Sequence, residues 1–446
     1  MGDFDHSSRP IRSLPWCAIS CDCSLSSNLR CSLEGEHGLY FNDIGTNSSV
    51  QNRAIRTTSQ AFHALGFFWA RQCALADSGQ YSMDDLPSLD APDVEKDRCW
   101  RAWAAKEIQQ RALLGHYLLD GLITRMSGET ASVRHAANQL GLPSTEAAFE
   151  ARTANEWLTH LRSQETVQCS FRSIIRSLFL PADQVSPIRH TFSAFSLRVV
   201  LEGLQSLVAD CDSEDVPTMG VPTKAELRSA LARVHESIAI SPNLSNSERL
   251  ETFLRWHTIC LDACKDSAIL CRAVCSRYGI VQHVCGGKDT VQKPDIDLVS
   301  WVNTEDARKA LLHAIAIQEI IEALPRGRAH VIHIPSSLFA SATVYCVFSL
   351  GGMTTVNVPN LVDWQTVLST NYESCSIPGQ PDSISQSETK RYMRGEYSPV
   401  FGAQGATKNL LYELNSMQKL FRCLCSQWGI AYDMEDIMDQ WIALCH

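Results

Sequence analysis

The chain has 446 residues, 45% hydrophobic and 20% charged, with a formal net charge of −10. That balance suits one large core or two smaller ones and excludes a chain dominated by disorder. The acidic excess excludes a nucleic-acid footprint spread over the whole sequence, which needs clustered Lys and Arg to neutralise phosphates. No leader pattern and no apolar run of roughly 18 residues is present, so the chain is expected to be intracellular. Its 18 cysteines are then expected to be reduced and mostly packed as small hydrophobes.

Residues 1–50, rich in Ser, Asn, Asp and Gly without sustained periodicity, are expected to be a disordered N-terminal segment. Cys17, Cys21, Cys23, Cys31 and His37 invite a zinc reading, but the ligand spacing of a zinc finger is missing and no metal ligands are assigned. The remainder, 51–446, reads as one helical region. Its first helix is expected from Asn52 to Ala76, where Ala54, Ala61, Leu65, Phe68 and Cys73 recur at helical spacing. Tyr81 to Lys96, with two prolines and a run of aspartates, is expected to be a solvated loop; Pro87 prevents Asp84, Asp85 and Asp90 from sharing a helix face as a metal site would need.

The stretch Arg98 to Leu161 organises the chain. A proline-free run rich in Ala, Leu, Gln and Arg predicts a long, largely buried helix, with Trp100 and Trp103 on one face. Glu107 and Arg111 stand four apart with the acid first, a pair worth about 0.2–0.5 kcal/mol if exposed. The string Glu107-Ile-Gln-Gln-Arg111 through Asp120 resembles the signature helix of the fungal-specific transcription factor regulatory domain, the middle homology region, with Leu113 and Leu114 where that pattern usually has two tryptophans. Leu142-Pro143 followed by a helix from Phe149 to Trp157 is similar to the family's continuation.

Helices are next expected over Cys169 to Leu180 and Arg189 to Val208. An acid- and proline-rich stretch at 210–222 is a candidate subdomain break. A short helix is predicted from Leu227 to Ile238, and a long one, capped by Ser245 or Ser247, runs to Tyr278. It carries Cys260, Cys264, Cys271 and Cys275 on one stripe, read as a packed seam because a single ion cannot reach all four. Trp301 to Ala323 is the next helix. His330 and His333 lack further ligands nearby and are assigned a structural or exposed role. Ser336 is expected to cap an apolar helix over Leu338 to Leu350, ended by Gly351-Gly352.

The polar segment 372–405 is expected to be a flexible, disordered insertion with a weak basic cluster at Lys390, Arg391 and Arg394. The tail is helical again, with Gly429 stopping one helix and Asp433 capping the last. Its ending, with Trp428, Gly429 and Trp441, resembles the C-terminus of the regulatory region found after two-Cys, two-His zinc fingers.

The expected fold is therefore all-α, a large multi-helix bundle or array. No phosphate loop, nucleophile elbow or zinc-protease motif occurs, and no catalytic residues are assigned. The resemblance implies a nuclear transcription regulator of RNA polymerase II transcription, in which this region does not itself contact DNA. Its partners would be transcription-machinery or co-regulator proteins, with homodimerisation as a further contact. DNA would be reached only through a zinc-finger domain that is missing or separate, and zinc is implied for that domain alone. The other readings are a finger-less co-regulator or interaction scaffold and, third, an all-helical enzyme. Trp100, Trp103, Glu107, Arg111, Asp120, Pro143, Trp157, Trp428, Gly429 and Trp441 are the family-motif positions, expected to serve the fold.

Overall fold

The computed structural model describes residues 65–68, 70, 72, 85–127, 140–163, 170–180, 192–211, 221–286, 296–325, 331–369, 383–396, 405–425 and 428–446. Among them the fold is all-α, with one two-stranded antiparallel ribbon. The readings of 1–50, of most of the 52–76 helix, of His330 and of most of 210–222 lie outside the described residues.

The first long helix, α1 (Asp93–Ser127), begins five residues earlier than the apolar pattern suggested, with Asp93 and Glu95 in its first turn, where acids favour the positive end of the helix dipole. The segment after Pro143 is not one helix. It forms α2 (Glu146–Phe149) and α3 (Ala154–Arg162), because Thr145 and Thr153 each turn a side chain onto backbone N–H groups and start a new helix. Then follow α4 (Phe171–Leu178), α5 (Ala194–Asp210) and α6 (Lys224–Ile240), the last opened by a reciprocal Thr223–Glu226 capping box.

The long helix expected to reach Tyr278 is two: α7 (Asn246–Cys264), opened by a Ser245–Glu248 capping box, and α8 (Ser267–Tyr278). Asp266 breaks them apart by accepting the N–H groups of Ala268 and Ile269 at 2.7 and 3.4 Å. The four-cysteine seam is divided within α7 itself, Cys260 packing in one core and Cys264, with Cys271 and Cys275 of α8, in another. Likewise α9 (Leu298–Val302) and α10 (Glu305–Ala323) are separated at Thr304, which caps α10 through Ala307 N–H.

Helix α11 (Ile334–Leu350) is buried on every side from Ile334 to Phe348, as expected of a helix without a polar face. Ser336 lies inside its first turn and bonds back to the His333 carbonyl; His333 holds the cap position, with Pro335 in the first turn. Strand β1 (Thr355–Pro359) follows and pairs with β2 (Gly405–Asn409), Thr355 opposite Asn409 and Pro359 opposite Gly405. Between them lie α12 (Trp364–Leu368) and α13 (Ile384–Met393).

Helix α13 corrects the expectation of a disordered insertion over 383–396: it buries Thr389, Lys390, Tyr392 and Met393, and Lys390 is not part of a solvated basic loop; the readings of 372–382 and 397–404 lie outside the described residues. Strand β2 runs directly into α14 (Leu410–Cys425), and α15 (Ile430–Cys445) completes the chain. Gly429 sits at the start of α15 and Asp433 inside its first turn, so Asp433 does not cap it.

Three apolar clusters result. Helices α8 to α11 and α13 to α15 with β1 enclose the largest, α1 and α4 to α7 the second, and α1 to α3 a small third around Trp103 and Trp157. Helix α7 joins the first two: Leu254 and Leu261 face one, Trp256, Ile259 and Cys260 the other. No described helix is long and apolar enough to cross a membrane.

Candidate functional site

The signature residues of α1 close a clamp on the segment before α2. Arg111 Nε donates to Glu107 Oε1 at 2.9 Å, Nη1 to both Glu146 oxygens at 3.1 and 3.2 Å, and Nη2 to the Ser144 carbonyl at 3.0 Å. Glu107 in turn accepts the Ser144 backbone N–H at 2.9 Å and its hydroxyl at 3.2 Å. The guanidinium plane lies 3.9 Å over the Phe149 ring, a stabilising cation–π placement. Glu107 and Arg111 are 4% and 9% exposed, so this is a buried, planar, hydrogen-bonded pair rather than a surface one.

Pro143, buried beside Ser144, lies in the link that reaches the clamp. Trp103 and Trp157 pack at 5.6 Å in the small core, with Trp100 partly buried against it. The motif thus brings Trp100, Trp103, Glu107, Arg111, Pro143 and Trp157 together. Trp428, Gly429 and Trp441 lie elsewhere, Trp441 stacked at 5.1 Å on Phe339 of α11.

Asp120 belongs to a second cluster that sequence reasoning missed. Arg198 of α5 pairs with Glu251 of α7 at 3.1 Å, Glu202 with Arg255 at 2.8 Å, and Gln205 reaches Asp262 at 3.4 Å. The partners occur in the same order along both helices, so α5 and α7 run in the same direction with a polar ladder between them. Helix α1 lies alongside: Arg125 binds Asp262 at 3.0 Å and Ser267 Oγ at 3.0 Å, and a Cβ on Gly121 would overlap the Glu202 carboxylate.

Burial first, then Glu202 and Asp120, push the Tyr117 phenol well above its ordinary range. Burial first, then Arg255 and Arg198, hold the His333 imidazole well below its own. Burial raises Asp262 against the pull of Arg125. Among the described residues, Tyr117 Oη, Gln205 Oε1 and Arg255 Nη1 have no hydrogen-bond partner.

A third buried group joins α7 to α10: His257 and His313 share a hydrogen bond between their Nδ1 atoms at 2.9 Å, one ring donating. Trp364 stacks on His313 at 4.8 Å. Burial lowers both imidazoles, His313 to about 3 with help from Lys309 and His235.

These shifts carry each group toward its neutral form, the direction burial imposes on any ionisable group, and none poises an acid and a base against each other. Among the described residues no three His, Cys, Asp or Glu side chains are placed to hold a metal ion. The signal that could have revealed the ladder was present: Arg198, Glu202 and Gln205 recur at helical spacing inside an otherwise apolar run, as do Glu251, Arg255 and Asp262.

Over 170 residues the chain is 25% identical to the nicotinate catabolism cluster-specific transcription factor of Emericella nidulans. The chain is similar to a fungal transcription factor. The similarity covers 38% of this chain and 19% of that protein, so the chain spans about a fifth of the relative it matches. No family model and no solved structure matches the chain.

Proposed function

We propose that the chain is the helical regulatory region of a fungal transcription regulator, acting in the nucleus on RNA polymerase II transcription through protein contacts rather than by touching DNA. The 170-residue similarity to a fungal transcription factor carries this reading. The all-helical fold and the net charge of −10 agree with it, since phosphate binding needs concentrated positive charge. The clamp and the ladder serve as the rigid frame that presents the helix surfaces to partners; zinc belongs to a DNA-binding domain outside this region.

The test joins residues 1–446 to a heterologous DNA-binding domain in a fungal host whose reporter carries the matching operator. Reporter output changes several-fold, up or down, relative to the DNA-binding domain alone. A folded, nuclear fusion that leaves the reporter unchanged would refute the regulatory reading. Nanomolar sequence-specific DNA binding by the unfused chain in a gel-shift titration at physiological salt would refute the absence of DNA contact. A finger-less co-regulator is distinguished by the same fusion when it acts only after its partner is co-expressed.

A further inference from the structure

The β1–β2 ribbon has two edges, and the fold treats them differently. The Leu410 N–H donates to the Thr354 carbonyl at 2.9 Å, one step beyond the pair Thr355–Asn409 that opens the register. Hydrogen-bonded and non-hydrogen-bonded pairs alternate along an antiparallel ladder, so Val356 with Lys408 and Val358 with Ala406 point their backbone groups at each other. Gly405 and Thr407 therefore turn their N–H and C=O groups, and Asn409 its N–H, away from β1. On the other side Thr355, Asn357 and Pro359 turn theirs away from β2.

The β1 edge is guarded: Pro359 has no N–H to offer, and α13 packs against this strand. The β2 edge carries no such guard. Thr407 and Asn409 are exposed, and among the described residues no further strand pairs with β2. Its side chains leave the edge open as well. Thr407 Oγ1 donates to Asn357 Oδ1 at 2.8 Å across the ribbon, and Asn409 Oδ1 accepts the Tyr412 N–H at 3.0 Å. Lysine commonly blocks an edge by its charge, but Lys408 is drawn to Glu319 at 3.1 Å.

The surroundings of β2 select the occupant. Glu319 of α10 is 58% exposed beside Lys408. Its neighbour Gln318 ties Glu322 at 2.9 Å to Glu413 of α14 at 2.7 Å. Three carboxylates thus stand against the Lys408 ammonium. Tyr412, 72% exposed, lies in the first turn of α14 next to the end of β2, an aromatic of the kind that anchors interfaces. A second copy presenting the same edge would bring two acidic groups together, whereas a basic segment neutralises one.

We propose that the open edge of β2 receives an extended, basic segment of a partner protein as a third strand of the ribbon. The partner's backbone exchanges hydrogen bonds with Thr407 and with the outward groups of Gly405 and Asn409. Its Lys or Arg side chains lie toward Glu319, Glu322 and Glu413, and an apolar residue packs on Tyr412. Main-chain pairing supplies the affinity and the side chains the selectivity. A strand of five residues makes a small contact, of the size found in transient complexes. The surface stands on the backbone geometry of the ribbon and does not depend on the regulatory reading.

The test titrates the full chain into a fluorescent peptide of alternating lysine and valine, and into its glutamate–valine counterpart, and reads anisotropy together with hydrogen exchange over 405–409. The lysine peptide should bind at least about ten-fold more tightly than the glutamate peptide and slow exchange in β2. Thr407→Pro removes an outward N–H and leaves the ladder bonds of Ala406 and Lys408 in place, as Pro359 does on the other edge; it should weaken the lysine peptide about ten-fold or more. Glu319→Gln with Glu322→Gln, outside the ladder, should weaken it several-fold and decides the matter if the proline variant fails to fold. Equal binding of the two peptides would overturn the proposal, as would full binding by a folded Thr407→Pro chain. So would a parent chain that sediments as a dimer and is dissociated by Thr407→Pro, since the occupant would then be a second copy. None of these results alters the reporter assay, and a silent reporter leaves the peptide titration unchanged.

Discussion

Arg111→Ala separates a surface helix pair from a structural clamp. An exposed pair at this spacing contributes about 0.2–0.5 kcal/mol. The guanidinium instead donates to Glu107, Glu146 and the Ser144 carbonyl from a site 9% exposed, above the Phe149 ring. Breaking a buried pair from one side costs about 3–5 kcal/mol, because the remaining charge stays desolvated. Two features pull the value to the lower end: Glu107 keeps both bonds from Ser144, and Glu146 is exposed enough to be hydrated. The expected loss is about 3 kcal/mol, several times the surface value. Arg111→Lys should recover only a minor part, since an ammonium cannot reproduce the planar fork.

A chain with three cores need not unfold as one unit. Urea unfolding is therefore to be paired with hydrogen exchange, where peptides over 141–149 lose protection first because the Ser144 carbonyl and Glu146 lose the guanidinium that ties this segment to α1. An Arg111→Ala chain within about 0.5 kcal/mol of the parent, with exchange of 141–149 unchanged, would refute the clamp.

Three further outcomes follow from the ladder and the buried imidazoles. Gly121→Ala gains up to about 1 kcal/mol of helix propensity. It also drives a methyl group into Glu202, which is tied to Arg255; overpacking of about 1–3 kcal/mol wins, and a stabilised variant in urea unfolding would show the carboxylate free to move. Arg255→Met should cost about 3–5 kcal/mol, with Glu202→Met added on top restoring most of it; a double variant as unstable as the single one would mean the ladder contributes more than charge pairing. The folded-state pKa values of His257, His313 and His333 lie below the unfolded value, so the unfolded chain binds more protons as pH falls through about 6.5 and stability is lost in that direction. Between pH 7.5 and 5.5 each site costs about 1.4 kcal/mol. His313→Asn should flatten the pH dependence of the urea midpoint, and a parent chain equally stable at both pH values would contradict the burial of these rings.

The all-helical class was legible because most segments carry an apolar stripe at helical spacing, and α5, α14 and α15 fall near where that stripe places them. Misplaced boundaries share one cause. Periodicity continues across Asp266 and Thr304, and only the side-chain bonds that these residues make to the next helix reveal the breaks. Helix α13 was missed for the opposite reason: its interior face is built from Thr389, Lys390, Tyr392 and Met393, a mixture in which an apolar pattern hardly registers. Among the motif positions, the charge spacing of Glu107 and Arg111 was visible, but not that Ser144 and Glu146 complete the pair, because those partners lie more than thirty residues away. The ladder was hidden by attention to the apolar residues around it.

Its burial bears on why α7 and not α1 is the centre of the molecule. A helix that joins two cores could be held equally well by apolar contacts on its third face, and buried ion pairs add little net stability over such packing. They do reject misalignment: sliding α5 along α7 by one turn would set Arg198 against Arg255 and leave Glu251 unpaired, a cost that apolar residues would not impose. Helix α1 joins the same register through Arg125 on Asp262 and the Gly121 approach to Glu202. The Arg111 clamp then fixes its other end to the small core. The family-like charged positions of α1 therefore lock an alignment set by α5 and α7, and any surface that binds a partner inherits its shape from that alignment.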